Sequence, residues 1–222
     1  MKNVQRFGSL LGTILTLSVV SASSAEFKVS SATFQPTDNT IAISVNLENN
    51  SSSILSLAAF SFQLQVTSVS STMVEFDTLS QPNTLSNSDY IFTGNSAAQN
   101  TPFTPWAVSS VSGKVNNNYV FSDTTDDTFN ISIPAGSSKL LANIILKPGT
   151  GSAAPQSGDV YTLSFITAGT SLFDDTLNSV AFTTGSGTLS VPTSVPEPST
   201  YAMAMVAVLM LLRKLWPKTI LA

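Results

Sequence analysis

Phe60-Ser-Phe-Gln-Leu-Gln-Val-Thr67 decides the fold. Phe60, Phe62, Leu64 and Val66 alternate with Ser61, Gln63, Gln65 and Thr67, a period of two that places the apolar set on one face of an extended strand. On a helix these four would be scattered around the circumference. Upstream, Ile41, Ile43, Val45 and Leu47 alternate in the same way with Ala42, Ser44 and Asn46, and the polar turn Glu48 to Ser53 separates the two runs. Strands apolar on one face need a second layer to cover that face.

The same period continues in both directions. It marks strands at Phe27 to Phe34, Val74 to Phe76, Val108 to Val111, Tyr119 to Phe121 and Phe129 to Ile133. Leu140 to Leu146, Tyr161 to Ile166, Val180 to Thr183 and Thr188 to Val191 complete the set, with Pro134-Ala-Gly136 and Pro148-Gly149 as punctuation. The spacers are too short for parallel strands joined by helices, and no helical period appears between Glu26 and Pro192. The expected fold is all-β: an antiparallel two-sheet sandwich with jelly-roll or Greek-key connections. Ser80 to Pro105, rich in Asn, Ser and Pro, is the longest irregular stretch.

Ile41 to Asn49, then Ala58-Ala-Phe-Ser-Phe-Gln-Leu-Gln-Val66 and Val74-Glu-Phe76, resemble the opening strands of cohesin-like domains. Lys139-Leu-Leu-Ala-Asn-Ile-Ile-Leu146, Gly158-Asp-Val-Tyr-Thr-Leu-Ser-Phe165 and Gly187-Thr-Leu-Ser-Val191 resemble the closing strands. The resemblance implies a nine-strand jelly-roll sandwich. Cohesins bind dockerins on one sheet face, but no residue of this chain carries that role over.

Both ends differ from the body. Residues 1–25 begin with Lys2 and Arg6, continue through an apolar stretch from Leu10 to Val20, and end in small residues, the pattern of a secretory signal peptide. Cleavage fits after Ala22 or after Ala25, and the reading adopted is Ala25; an uncleaved anchor is the alternative. Residues 193–222 contain Pro196-Glu197-Pro198, an apolar run from Tyr201 to Leu212, and the basic residues Arg213, Lys214 and Lys218. The prolines stop any preceding structure, so a helix starts near Pro198.

Twelve apolar residues reach only roughly 18 Å, against about 30 Å of hydrocarbon. A span over about residues 199–216 reaches roughly 27 Å if Arg213 and Lys214 snorkel to the headgroups. Tyr201 and Trp216 would then mark the interfaces, and the basic pair the cytoplasmic side. A plain tail anchor and a helix docked on the domain are the alternatives. The Val195-Pro-Glu-Pro-Ser199 stretch, apolar helix and basic stop resemble the PEP-CTERM sorting signal. That resemblance implies an exported protein, held in the inner membrane until an exosortase removes the tail.

Between the ends, residues 26–192 form one expected domain. The stretch from Glu26 to Glu197 holds all 13 acidic residues of the 222-residue chain against Lys28, Lys114, Lys139 and Lys147, a formal charge of −9. Such a body offers no basic surface to nucleic acid. There is no Cys, so no disulfide, and no His, which removes His-based triads and imidazole or thiolate metal sites.

Few residues invite chemistry. Glu75 and Asp77, two apart, share a strand face; as a pair they could serve a glycosidase, and as a bland alternative they solvate that face. Asp126-Asp127 and Asp174-Asp175 fall in expected turns and are weak calcium candidates, although Asp favours turns for its own backbone contacts. Phe103 and Trp106, in a loop stiffened by Pro102 and Pro105, are candidates for ligand contact, with Trp106 as a core anchor the alternative. The expectation is a non-enzymatic exported protein with no cofactor. Exosortase, the membrane, and exopolysaccharide or surface proteins are its expected partners, and its expected place is the cell surface or extracellular matrix. A carbohydrate- or protein-binding module is the second reading and a glycoside-active enzyme the third.

Overall fold

The computed structural model describes residues 25–35, 37–69, 71–79, 81–82, 84–101, 104–127, 130–193 and 198–215. In chain order the strands are β1 (Ala25–Val29), β2 (Ala32–Thr33), β3 (Ile41–Asn49), β4 (Leu55–Leu57), β5 (Ala59–Ser68), β6 (Val74–Phe76) and β7 (Trp106–Val111). There follow β8 (Lys114–Thr124), β9 (Ile131–Ile133), β10 (Ser138–Pro148), β11 (Val160–Phe165), β12 (Ser171–Phe173), β13 (Phe182–Thr184) and β14 (Gly187–Ser190). A single-turn helix α1 (Ala97–Asn100) precedes β7, and a helix α2 (Pro198–Leu215) follows the sandwich.

One sheet runs β13-β1-β3-β10-β6. The larger runs β2-β14-β11-β5-β8-β7, with β12 also paired to β5, and β4 and β9 form a small ribbon. The deciding stretch behaves as its alternation requires: Phe60, Phe62, Leu64 and Val66 are buried between the sheets. Phe62 stands opposite Phe121 on β8, with rings 5.8 Å apart and nearly parallel. Phe60 stacks on Phe121 at 5.9 Å, while Phe76 on β6 reaches Tyr119 at 5.5 Å and ties the two sheets together.

The antiparallel expectation holds for the body of both sheets and needs correction at their margins. β1 pairs with β13 in parallel, and β2 pairs with β14 in parallel. The expected single strand from Phe27 to Phe34 is two, because the chain leaves the smaller sheet after Val29 and joins the larger at Ala32. The C-terminal segment makes the same change between β13 and β14, so the two ends cross together. Crossing leaves little room: a Cβ on Gly187 would lie 2.8 Å from the Ser30 carbonyl oxygen and 2.9 Å from that of Val29.

β4, β12 and α1 were not among the expected elements. β4 and β12 are short strands of three residues each that sit beside polar turns, and α1 is one turn capped by Ser96, whose hydroxyl accepts from the Gln99 N–H. Ala25 opens β1, is completely buried, and pairs with Asn49 and Phe182. The sandwich therefore starts one residue before the expected boundary at 26, and of the two cleavage sites only the one after Ala22 leaves β1 whole. Residues 1–24, the signal-peptide reading, lie outside the described residues.

The C-terminal expectation is met in part. A helix does begin at Pro198, and its apolar residues from Met203 to Leu211 are exposed. Its expected role as a membrane span over 199–216 requires correction: among the described residues no helix is long and apolar enough to cross a membrane. The apolar run is simply too short before the basic pair.

The Gly187 crossing yields a test. Gly187→Ala should lower the stability of the sandwich by about 1–3 kcal/mol, because backbone rather than a flexible side chain must yield. Urea unfolding of the two proteins would measure it, and equal midpoints would show that the crossing has slack.

Candidate functional site

Glu75 lies in β6, opposite Lys147 of β10. The alternation places it on the outer face of the smaller sheet, yet it is completely buried, and Asp77 is nearly so. The expected solvated face is corrected here, because the turn after β10 folds over it. Thr150 donates its N–H to Glu75 Oε2 at 3.2 Å and its hydroxyl to Oε1 at 2.7 Å. Lys147 Nζ sits 3.6 Å from Glu75 Oε1 and 3.4 Å from Asp77 Oδ1. The two carboxylates thus face an ammonium and a turn, with no cleft between them for a sugar ring, so the glycosidase pairing has no geometric support.

The irregular stretch from Ser80 to Pro105 is not a free loop set. Its side chains close the edge of β10 beyond the short β6. Gln81 donates from Nε2 to the Ile145 carbonyl at 3.0 Å and accepts the Ile145 N–H at 2.9 Å through Oε1. Thr84 Oγ1 accepts the Asn143 N–H at 2.9 Å, and the Ile91 N–H donates to the Leu140 carbonyl at 2.9 Å. Each such bond spares a backbone group an unmet partner, worth about 1–3 kcal/mol when buried.

Asp123 fastens the second half of the stretch. Its carboxylate accepts from the Tyr90 and Ser96 hydroxyls, each at 2.5 Å, and from the Ala98 N–H at 3.1 Å. Burial raises the Tyr90 phenol far above its usual value, and the charge of Asp123 adds to the rise. Tyr119 is raised by burial.

Trp106 opens β7 and is half-buried, its ring stacked on Tyr119 at 6.3 Å and 9°. It also lines a cavity of about 240 Å³ with Gln81, Pro82, Leu85, Thr104 and Pro105. The residue thus anchors the edge strand, as the alternative reading has it, and borders a groove. Its expected companion Phe103 lies outside the described residues. A larger, polar hollow of about 420 Å³ crosses the smaller sheet beside Ser44, Asn46, Asp89, Lys139 and Asn143.

The calcium candidates do not converge on a site. Asp126 accepts from Asn100 Nδ2 at 2.6 Å and Asp175 from Asn130 Nδ2 at 2.8 Å. Asp174 Oδ1 accepts from the Thr176 hydroxyl and the N–H groups of Thr176 and Asn178. The Thr176 hydroxyl, and after it the Asn178 N–H, hold the Asp174 carboxyl below its usual value. Among the described residues no three acidic groups stand close enough to hold a metal ion. Of the sorting motif, Pro196 and Glu197 fall outside the described residues and Pro198 starts α2; Arg213 and Lys214 belong to its last turn.

The outer face of the larger sheet carried no signal in the sequence beyond its alternation. Gln63 Nε2 donates to Asn118 Oδ1 at 2.8 Å, and Asn118 Nδ2 donates to Ser109 Oγ at 2.7 Å. This chain crosses β5, β8 and β7. Around it stand Ser61, Gln65, Val120, Ser122, Thr162 and Ser164, none of them charged. The smaller sheet differs: Glu26, Lys28 and Glu48 form a cluster on its outer face, with Lys28 Nζ 2.5 Å from Glu48 Oε2.

The sandwich as a whole has counterparts among solved structures. The cohesin in a cohesin–dockerin complex from Clostridium thermocellum superposes with a TM-score of 0.50 at 12% identity, over 78% of this chain and 96% of that one. The fold is a cohesin-like sandwich. A non-cellulosomal cohesin from the archaeon Archaeoglobus fulgidus gives 0.47 at 16% identity, over 82% and 98% of the two chains. No family model and no curated protein matches the sequence.

The buried phenols predict a pH response. In the unfolded chain a tyrosine ionises near 10.0, whereas the folded values lie well above it. Stability is therefore intact below pH 10 and falls as the pH rises past it, by about 1.4 kcal/mol per pH unit for each phenol kept protonated. Urea midpoints measured across the alkaline range should start to drop near that pH, before Tyr90 and Tyr119 ionise in the folded protein. A flat midpoint would contradict the burial of Tyr90 and Tyr119.

Proposed function

We propose that the protein is an exported, non-catalytic binding module that engages a protein partner through the uncharged outer face of its larger sheet. The observation that carries this reading is the Gln63–Asn118–Ser109 chain of hydrogen bonds. Amides and hydroxyls already held in place by one another lose little side-chain freedom when a partner docks, so each contact retains more of its value. A face without charges also avoids stripping water from ions. The Clostridium thermocellum neighbour is a cohesin in complex with a dockerin, and that precedent favours a protein over a small molecule as the partner here.

The Trp106 groove supports a sugar-binding reading as a second choice, since an aromatic border with polar Gln81 and Thr104 suits a pyranose ring. One set of variants separates the two. Arginine at the exposed positions Ala107, Ser122 and Thr162 should weaken partner binding at least tenfold without altering the melting curve, while Trp106→Ala leaves it unchanged. Binding to a glycan array that is lost in Trp106→Ala but kept in the arginine variants would instead establish the sugar reading.

The two terminal segments bear on where the module acts. The N-terminal segment ahead of β1 directs export, and an exosortase removes the tail at Pro196-Glu197-Pro198 while the apolar helix, without spanning, keeps the precursor at the inner-membrane surface. The processed module then resides at the cell surface or in an exopolysaccharide matrix. The exposed apolar side chains of Met203 to Leu211 support this itinerary. Replacing Pro196, Glu197 and Pro198 with alanine should leave a heavier, membrane-associated form. A mature mass unaffected by the triple substitution would remove the sorting reading.

A further inference from the structure

The group formed by Lys147, Glu75 and Asp77 does nothing in the binding function, and its composition is unusual for a merely structural ion pair. Two carboxylates, with side chains 0% and 9% exposed, meet a single ammonium that is 27% exposed. Burying an ion pair is costly, and here one negative charge is left over besides. The three groups are also those that amide formation requires: an amine, a carboxyl carbon to receive it, and a second carboxyl to carry protons. We propose that Lys147 and Asp77 condense to an isopeptide bond, with Glu75 as the general acid and base.

Position assigns the roles. Both oxygens of Glu75 are held by Thr150, which fixes that carboxylate beside Nζ as a proton carrier. Asp77 is held at Oδ1 by the Leu79 N–H at 3.0 Å, and Nζ stands 3.4 Å from the same oxygen. The Lys147 ammonium gives one proton to Glu75, which frees the nitrogen lone pair, and a second proton passes from the nitrogen to an Asp77 carboxylate oxygen as the attack proceeds. The nitrogen attacks Asp77 Cγ, the Cγ–Nζ bond forms, and the Cγ–O bond breaks as Glu75 delivers its proton to the departing oxygen. An ammonium and a carboxylate become a neutral amide and one water, and Glu75 ends as it began. No oxidant or cofactor enters.

The surroundings favour the product. Release of water into solvent from a nearly dry site opposes the reverse reaction, and replacing a buried ion pair with an amide removes two buried charges. The turn over the site is tight, with the Gly149 N–H donating to the Met73 carbonyl at 2.8 Å and no room for a side chain at Gly149. The bond would join β6, an edge strand of three residues, to β10 and close a loop between residues 77 and 147 in a chain that has no cysteine. Constraint of the unfolded chain by such a loop acts as a disulfide does.

The test is the mass of the folded full chain, followed by digestion and fragmentation. A mass lower by one water, with a branched peptide joining Asp77 to Lys147, is expected. Separate, unmodified Asp77 and Lys147 peptides from folded protein would overturn the proposal, as would a missing water traced to a cyclic imide at Asp77-Thr78. Lys147→Arg keeps the charge without the nucleophile and should show no loss of water. Glu75→Gln, if its circular dichroism is that of the parent, should retain a free Lys147. The branched peptide persisting in that variant would remove Glu75 from the reaction.

Discussion

Ring against ring, Phe62 and Phe121 join β5 to β8 at the centre of the larger sheet, and everything else is arranged around keeping that contact dry. A chain with no cysteine and only four lysines in its body has little else to rely on. Each fully buried aromatic contributes about 1.5–3 kcal/mol, and Phe60, Phe76, Tyr90 and Tyr119 extend the same slab toward the smaller sheet. The polar groups that must enter this interior come already partnered. Asp123 gathers two hydroxyls and an amide, and among the described residues no buried side-chain nitrogen or oxygen lacks a partner.

The second organising feature is the separation of charge between the two outer faces. Lys28 links Glu26 and Glu48 on one sheet, and a hydrogen bond to Glu48 raises its ammonium above the usual lysine value. The centre of the opposite sheet carries amides, hydroxyls and the small apolar Ala107 and Val120. A chain whose body has a formal charge of −9 thus keeps an uncharged patch around Gln63, Asn118 and Ser109.

Much of this was legible in the residues. Period-two runs located the principal strands, and Val74–Phe76 came out with its observed limits, because side-chain alternation is a local property of the chain. What stayed hidden depends on partners far away in sequence. Glu75 reads as a solvated strand residue until Thr150 closes over it, and Gln81 reads as a loop residue until it takes the place of a strand beside Ile145. The parallel pairing of β1 with β13 joins segments more than 150 residues apart, and no turn chemistry announces it. Trp106 was singled out for its type, while Gln63, Asn118 and Ser109 were passed over, since a polar residue on an alternating strand looks like ordinary solvation until its neighbours are known.

The chain leaves the sandwich directly from β14, a strand lying between β11 and β2 rather than peeling from an open end. Tension applied through the C-terminal tail would run along that strand. The ladder bonds on both its sides would then be loaded side by side and would have to shear together, instead of unzipping one at a time. A pull from that end would therefore meet the resistance of two ladders at once.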